Sequence, residues 1–267
     1  MAISTRSIII RAHGPANLFE LAPYIDELST SIPAGAGRLF VFSVGSTGAV
    51  IGLPEDAAAH KAFVDWVQKA IPFNADCRHP GNAFAHLRST LLKAGVSLPM
   101  KNKLVIGLKP YLLENTAGRK SRPLIFTVVR KDTGVEMGFY RDEFSVDGNG
   151  WIDMIDVTGR VMEIAAASGQ GEGQVFVSAG DERSAIVTIE NDMRLLLDTA
   201  DFIDGLVRRG GAVNRLTAGH VAAAMLGQHV AVPLVGGRLE VGTWQQIMAV
   251  DLAEGGRKRI IVDVLGE

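Results

Sequence analysis

Two stretches, Gly37-Arg38-Leu39-Phe40-Val41 and Gly173-Gln174-Val175-Phe176-Val177, decide the fold, because the same strand-like pattern recurs 136 positions further along the chain. Asp56 and Asp192 are also 136 positions apart in the sequence. Such regular self-similarity indicates two homologous copies of one unit.

The match continues towards the end of each copy. Ala85-His86-Leu87 corresponds to Gly219-His220-Val221 at a separation of 134, so about two residues were lost between the copies. We therefore predict two domains, at residues 1–130 and 139–267, joined by a polar segment at 131–138.

Composition fits two globular domains. The chain has 267 residues, of which 47% are hydrophobic and 21% charged, enough for two cores of ordinary size. A net charge of -2 gives no reason to expect binding to nucleic acid or to an anionic membrane. The single cysteine, Cys77, cannot form an intrachain disulfide, and no stretch reaches the roughly 20 apolar residues of a spanning helix. We expect a soluble cytoplasmic protein.

The spacing of apolar residues predicts the same order of elements in both copies. Helices alternate irregularly with short strands, which favours an α+β fold with a largely antiparallel, sandwich-like sheet. The predicted helices are 17–31, 56–70 and 83–93 in the first copy and 157–168, 192–208 and 218–226 in the second. The predicted strands are 39–43, 49–53, 96–98, 103–107 and 125–129, then 175–179, 185–189, 230–232, 238–242 and 260–265. An opening segment, at 7–11 in the first copy and 143–146 in the second, precedes the first helix of each copy.

Two segments resemble a known family. Gly81-Asn82-Ala83-Phe84-Ala85-His86-Leu87-Arg88 resembles the Gly-Asn-x-x-Ala-His signature of the YjbQ family, also called UPF0047, and Gly242-Thr243-Trp244-Gln245 resembles its Gly-Thr-Trp-Gln signature. The resemblance covers both halves of the chain. It implies tandem YjbQ-like domains, trimeric assembly and a weak thiamine phosphate synthase activity.

Each copy departs from the family pattern in a different place. The family's His-Thr-Thr-Ala loop is replaced by Ser46-Thr47-Gly48-Ala49 and by Glu182-Arg183-Ser184-Ala185, so its histidine is absent from both copies. The first copy lacks Gly-Thr-Trp-Gln and the second lacks Gly-Asn. Because the losses are complementary, we predict a composite site that takes residues from both copies.

The reaction implied by the resemblance condenses a pyrimidine pyrophosphate with a thiazole phosphate. Departure of pyrophosphate calls for positive charge on the leaving group, often from a divalent metal such as Mg²⁺, and the sequence does not identify the metal. His79 and His86 are candidates either to ligate such a metal or to donate to a phosphate oxygen. The candidate catalytic residues are His86, His220, Trp244 and Gln245. The candidate binding residues are His79, Asn82, Arg88, Thr243 and Arg257.

Three interpretations stay open at this point. The chain is a transferase with a degenerate or composite site, a binding protein for a small phosphorylated molecule, or an assembly protein whose sites have decayed. A histidine on a helix is often a packed or surface residue, which favours the third. Absence of the loop histidine also favours the assembly protein, whereas the two retained signatures favour the transferase. We expect a homo-oligomer, and a trimer of two-domain chains is the arrangement that the resemblance suggests.

Overall fold

The computed structural model describes residues 2–30, 35–73, 76–101, 104, 107–130, 137–211 and 214–267. The elements of the first half are β1 (Ala2–Gly14), β2 (Asn17–Glu20), α1 (Ala22–Thr30), β3 (Gly37–Ser43), β4 (Gly48–Leu53), α2 (Ala57–Ala70), α3 (Ala83–Leu92), β5 (Gly95–Met100), β6 (Lys109–Glu114) and β7 (Gly118–Arg130). Those of the second half are β8 (Gly138–Gly148), β9 (Asp153–Asp156), α4 (Thr158–Ala167), β10 (Gly173–Ala179), β11 (Ser184–Ile189), α5 (Met193–Arg209), α6 (Arg215–Leu226), β12 (His229–Val235), β13 (Arg238–Leu239), β14 (Gln246–Asp251) and β15 (Gly256–Gly266).

The two halves have the same topology. The first half contains sheets of order β1-β7-β3-β5 and β2-β6-β4, and the second contains β8-β15-β10-β12-β13 and β9-β14-β11. The ladders within these sheets are antiparallel. The prediction of duplicated α+β domains with antiparallel sheets is confirmed.

Each core lies between the two sheets of its half and is closed by a helix. In the second half, Val161 and Ile164 of α4 share a cluster with Val175 of β10 and Ile247 of β14. Their spacing of three residues places Val161 and Ile164 on one face of α4, as the apolar pattern of residues 157–168 predicted.

A glycine begins β3 and β10 because another strand passes too close for a side chain. A Cβ on Gly37 would lie 2.3 Å from the backbone oxygen of Val129, and one on Gly173 would lie 2.0 Å from that of Leu265. Both glycines of the repeated sequence pattern are therefore required by contact with the last strand of their half.

Several predicted boundaries differ from the structure. The helix predicted at 17–31 is wrong at its start, because Asn17–Glu20 is a strand that pairs with β6. Of the strand predicted at 238–242, only Arg238–Leu239 forms. Strands β6 and β14 were not predicted, because their residues are almost all buried and so lack the alternation that identifies a strand.

Two predictions fall mainly outside the described residues. The strand predicted at 103–107 retains only Leu104, which forms a bridge to Met100, and Gly107. The linker predicted at 131–138 retains residues 137 and 138, and β8 begins at Gly138. The proposed domain limits stay predictions.

The halves meet along a contact that we call the seam, where α3 and the 43–47 loop of the first half lie against α5, β11 and the 242–245 loop of the second. Phe40 of β3 and its counterpart Phe176 of β10 form an edge-to-face pair with ring centroids 5.8 Å apart. Thr90 of α3 donates a hydrogen bond to the backbone oxygen of Thr188 at 3.3 Å. Across the described part of the chain, helices are too short or too polar to cross a membrane.

Candidate functional site

Five polar side chains form a connected group at the seam, which we call the seam cluster: His79, Asn82, His86, Glu190 and Asp192. His79 Nδ1 lies 3.1 Å from Asp192 Oδ1, and its Nε2 lies 3.1 Å from Asn82 Oδ1. Asn82 Nδ2 donates to His86 Nε2 at 3.1 Å. Glu190 Oε2 lies 3.5 Å from the same histidine nitrogen. The cluster joins three residues of the first half to two of the second.

Asn82 occupies the N-cap of α3 but does not cap it. Asparagine is a preferred N-cap because its side chain accepts a bond from the first turn of the helix. Asn214 does this for Thr217 at the start of α6. Asn82 makes no such bond, and its amide bridges two histidines instead. The Asn82 side chain therefore makes its hydrogen bonds within the cluster and none to the first turn of α3.

His86 is held as a neutral ring. Burial, followed by the neighbouring charge of His79, lowers the pKa of His86 from 6.5 to about 4. Because Nε2 accepts from Asn82, the ring proton belongs on Nδ1. No described group is within hydrogen-bond geometry of that buried nitrogen. The backbone of Ser46 is close enough to raise the pKa of His86, against the causes that lower it.

A buried ion pair lies behind His86. Arg122 donates from Nε and Nη2 to the two carboxylate oxygens of Glu114 at 2.9 and 2.8 Å, and Nη2 also donates to Thr47 Oγ1 at 2.9 Å. Arg122 and Glu114 are both almost fully buried. The positive charge of Arg122 contributes to the lowered pKa of His86. This pair holds the 46–47 loop, where the family has its histidine.

The start of α5 supplies the second-half residues that contact His79. Asp192 caps α5 by accepting from the backbone nitrogens of Arg194 and Leu195. The Arg194 side chain, and then His79, hold the pKa of Asp192 well below its usual range. Further along α5, Asp198 accepts from the backbone nitrogen of His79 at 2.9 Å. The chain around His79 is therefore fixed by carboxylates of the second half.

The seam cluster is reached from the surface. His79 and Asn82 line a pocket of about 330 Å³ that also includes Phe73, Cys77 and Gly81. His86 is only 1% exposed and lies behind Asn82. A ligand in the pocket would meet His79 and Asn82 first.

Gln245 connects the second half's signature to the same region. Its side-chain oxygen accepts from the backbone nitrogens of Gly45 and Gly242 at 2.8 and 3.1 Å. Gly45 precedes Ser46, the residue beside His86. Trp244, by contrast, is 67% exposed, and Thr243 is also exposed. Of this signature, Gln245 accepts a hydrogen bond from Gly45, and Gly242 lies so close to Gly45 that an added Cβ would be 2.8 Å from its backbone.

The remaining candidates lie elsewhere. Arg88 is fully buried and donates from Nε and Nη2 to the backbone oxygen of Ile71, so it braces the chain after α2. His220 is exposed on α6, and Arg257 is exposed near the start of β15. The structure does not join these three residues to the seam cluster.

The chemistry of the cluster does not fit a metal ion. Across the described ranges, no group of three or more His, Cys, Asp or Glu side chains is arranged to hold one. Both nitrogens of His79 and Nε2 of His86 are already engaged by amide or carboxylate groups. We therefore derive no chemical step that passes through Mg²⁺.

Four residues of this region were not predicted from the sequence: Glu190 and Asp192, which complete the cluster, and Asp198 and Arg122, which lie beside it. Asp192 was visible as a helix start. Nothing local to it, however, indicates that it meets a histidine 113 positions away.

Comparison with known proteins identifies the family. Residues 142–267 match the family model described as UPF0047 protein YjbQ-like. A UPF0047 protein of Methanothermobacter thermautotrophicus is 31% identical over 139 residues, which cover 50% of this chain and 97% of the relative. A UPF0047 protein of Archaeoglobus fulgidus is 31% identical over 119 residues, which cover 43% of this chain and 92% of the relative.

Solved structures give matches of similar extent. A YbjQ-like protein of unknown function from Sulfolobus solfataricus P2 is 27% identical with a TM-score of 0.47, covering 49% of this chain and 100% of its own. A hypothetical protein from Aeropyrum pernix K1 is 28% identical with a TM-score of 0.45, and the match covers 48% of this chain and 99% of that protein. The two halves of this chain share one topology, as expected for a domain in tandem. Because two UPF0047 relatives, each 31% identical to this chain, align over 97% and 92% of their own length, the chain belongs to the YjbQ/UPF0047 family.

Proposed function

We propose that the seam cluster is a composite binding site for a small phosphorylated molecule, and that its reaction is the thiamine phosphate synthase type of condensation. The observation that carries the proposal is the chain of contacts from Asp192 through His79 and Asn82 to His86. Ordered polar side chains from both halves, beside an open pocket, are typical of a preorganised site.

The proposed reaction needs few chemical groups from the protein. The ring nitrogen of the thiazole phosphate forms a bond to the methylene carbon of the pyrimidine, and the bond from that carbon to pyrophosphate breaks. No proton is consumed in this exchange. Catalysis therefore depends on holding the two substrates together and on stabilising the departing pyrophosphate. His79 and Asn82 line the pocket, and to reach the pyrophosphate they must give up the hydrogen bond that joins them.

A second candidate is binding without turnover. It is favoured by the buried Ser46, which stands where the family has a histidine, and by the position of Arg88, which is committed to Ile71 and cannot clamp a phosphate. Under this alternative the pocket binds the phosphorylated molecule, and no condensation follows. Assembly into a homo-oligomer is compatible with either function.

The first experiment measures formation of thiamine phosphate from the pyrimidine pyrophosphate and the thiazole phosphate, with and without Mg²⁺. We expect turnover by the natural chain and at least a tenfold loss in His79→Ala and His86→Ala. His220→Ala is the matched control, because His220 holds the equivalent position outside the cluster. Equal rates in all three variants would contradict the assignment of the site.

Calorimetry with the pyrimidine pyrophosphate separates the two candidates. Binding that is lost in His79→Ala, without any turnover, would favour the second. A ligand that binds only the folded chain also raises its thermal midpoint. If millimolar ligand neither binds nor raises the thermal midpoint, both candidates are excluded.

A further inference from the structure

A small cavity, of about 100 Å³, lies where β3 and β5 of the first half approach β10 and β12 of the second. It is separate from the pocket beside His79, because the two share no lining residue in the described part of the chain. A cavity of roughly 150 Å³ holds benzene, so this one has room for about four to six non-hydrogen atoms. Any occupant must therefore be small.

Much of the cavity lining is apolar. Phe40 and Phe42 line it from β3, and Val187 and Ala231 line it from the second half. Alternate residues of a strand lie on the same face, and Phe40 contacts Phe176 of β10. Phe40 and Phe42 therefore share the face of β3 that meets the second half. This part of the lining suits a short hydrocarbon chain.

Gln174 of β10 supplies an amide to the same cavity. It lies two residues before Phe176, and so on the face of β10 that meets Phe40. Gln174 is only 1% exposed, and its Nε2 has no hydrogen-bond partner among the described residues. A buried N–H group without an acceptor costs free energy. A ligand that brings an acceptor atom would remove that cost.

Lys93 follows α3 in a conformation that is unusual for lysine. Its φ is 73°, in the left-handed region that favours glycine, and its counterpart at a separation of 134 is Gly227, with a φ of 78°. A strained residue of this kind is a reason to look for a role of its side chain. The Lys93 ammonium donates to the backbone oxygen of Leu226, at the end of α6. Two of its three N–H groups remain for another acceptor.

The Lys93 ammonium has no counter-charge at the cavity. Burial lowers the pKa of Lys93 from its ordinary value of 10.5. Among the described residues that line the cavity, none is an aspartate or a glutamate. An anion beside the ammonium would offset the loss of its hydration. The cavity thus combines one positive charge and one amide donor with an apolar lining.

We propose that this cavity binds a short-chain monocarboxylate of about two to four carbons. The carboxylate accepts from Lys93 and Gln174, and the hydrocarbon tail lies against Phe40 and Phe42. One ammonium balances the single charge of a carboxylate, and the apolar lining leaves no place for a second charged group. Because the ligand contacts both halves, its binding holds them together. The inference is independent of the proposed function, since it uses no residue of the seam cluster.

Titration with butyrate, followed by the amide chemical shifts of the chain, tests the proposal. We expect saturable shifts at Gly95 and Ala231, which line the cavity. Binding should be about tenfold weaker or more in Lys93→Gly and in Gln174→Met. Glycine is the residue that a φ of 73° favours, so Lys93→Gly removes the ammonium without new backbone strain. Lys109→Met is the matched control, because it removes an ammonium that pairs with Glu20 and Glu55 far from the cavity lining.

A cavity-filling variant covers the case in which loss of Lys93 or Gln174 impairs folding. Ala231 lies opposite Phe176 in the ladder of β10 and β12, and so on the face that meets the first half. Ala231→Leu therefore occupies the cavity while it keeps both donors, and it should abolish butyrate binding. Butyramide, which has the same shape without the charge, should bind about tenfold more weakly or worse.

Four results would overturn the proposal. The natural chain does not saturate at about 50 mM butyrate, a generous limit for a ligand of this size. Binding survives in Lys93→Gly, Gln174→Met and Ala231→Leu alike. Butyramide binds as well as butyrate, which shows that the charge is not recognised. Binding is lost in His79→Ala and kept in Ala231→Leu, which places the carboxylate at the seam cluster instead.

Discussion

His86 and His220 show how far one position can diverge between two copies of a domain. The first is buried between a neighbouring histidine, an amide and a carboxylate, and the second lies in water on α6. Their immediate sequences, Ala85-His86-Leu87 and Gly219-His220-Val221, are nearly the same. The difference arises from contacts between the halves, which bury His86 and leave His220 exposed.

The buried ring of His86 predicts a loss of stability in mild acid. Its pKa is about 4 in the folded chain and returns to the ordinary value of about 6.5 on unfolding. As pH falls through this window, the unfolded chain takes up a proton that the folded chain does not. The free energy of unfolding should therefore fall by about 3 kcal/mol between neutral pH and the folded pKa.

Urea denaturation at several pH values between these limits measures the effect. His86→Gln should flatten the dependence on pH, and His220→Gln should leave it unchanged. The carboxylate of Asp192 does not confuse the comparison, because its pKa is also lowered and its contribution is lost only at more acidic pH. An identical slope in both variants would assign the acid sensitivity to other groups.

The buried pair of Arg122 and Glu114 predicts strong coupling between two residues. Glu114→Leu leaves the guanidinium buried without its carboxylate and should cost about 3 kcal/mol or more in unfolding free energy. Arg122→Met should cost a similar amount for the reciprocal reason. The double variant should recover most of the loss, which a double-mutant cycle by urea denaturation measures. Additive losses would show that the pair acts independently.

At the scale of elements, most helices and strands were predicted near their observed positions because local sequence sets their periodicity. Asp56 and Asp192 both serve as N-caps, and the predicted helices begin beside them. The strands that were missed, β6 and β14, lie in the middle of their sheets and are apolar on both faces. A short run of this kind cannot be separated from a buried helix by periodicity alone.

Two glycines should respond to alanine with opposite sign. In Gly173→Ala, the new Cβ would lie 2.0 Å from the backbone oxygen of Leu265, so β10 and β15 must separate at a cost of about 2 kcal/mol or more. In Gly205→Ala, inside α5, nothing lies within 4 Å and the helix should gain about 1 kcal/mol. Thermal denaturation of both variants checks the signs. If Gly173→Ala leaves the thermal stability unchanged, β10 and β15 can move apart without cost.

At the scale of the whole molecule, the seam decides which residues can act together. Gln245 is the clearest case, because it is buried and holds Gly45 of the other half. The complementary signatures predicted a composite site, and that site stays a prediction. They did not indicate that Gln245 would support a loop while Trp244 faced outwards.

Gln245→Leu should loosen the seam. Two backbone nitrogens, of Gly45 and Gly242, would lose their acceptor, at a cost of about 2 kcal/mol in unfolding free energy. Hydrogen exchange should become faster at Gly45. Gln246→Leu is the matched control, since its bonds to Asn191 and Thr243 stay within the second half. Equal protection of Gly45 in both variants would contradict this role.

The sequence by itself determined that a domain occurs twice, that it is α+β, and that its main helices and most of its strands lie where they do. These properties follow from repetition and from the spacing of apolar and capping residues, which act over a few positions. Only the tertiary structure decided that His86 of α3 is buried while His220 of α6 is exposed, and that His79 meets Asp192 across 113 positions. Contacts between the halves depend on how two finished surfaces fit, and no local pattern records that fit.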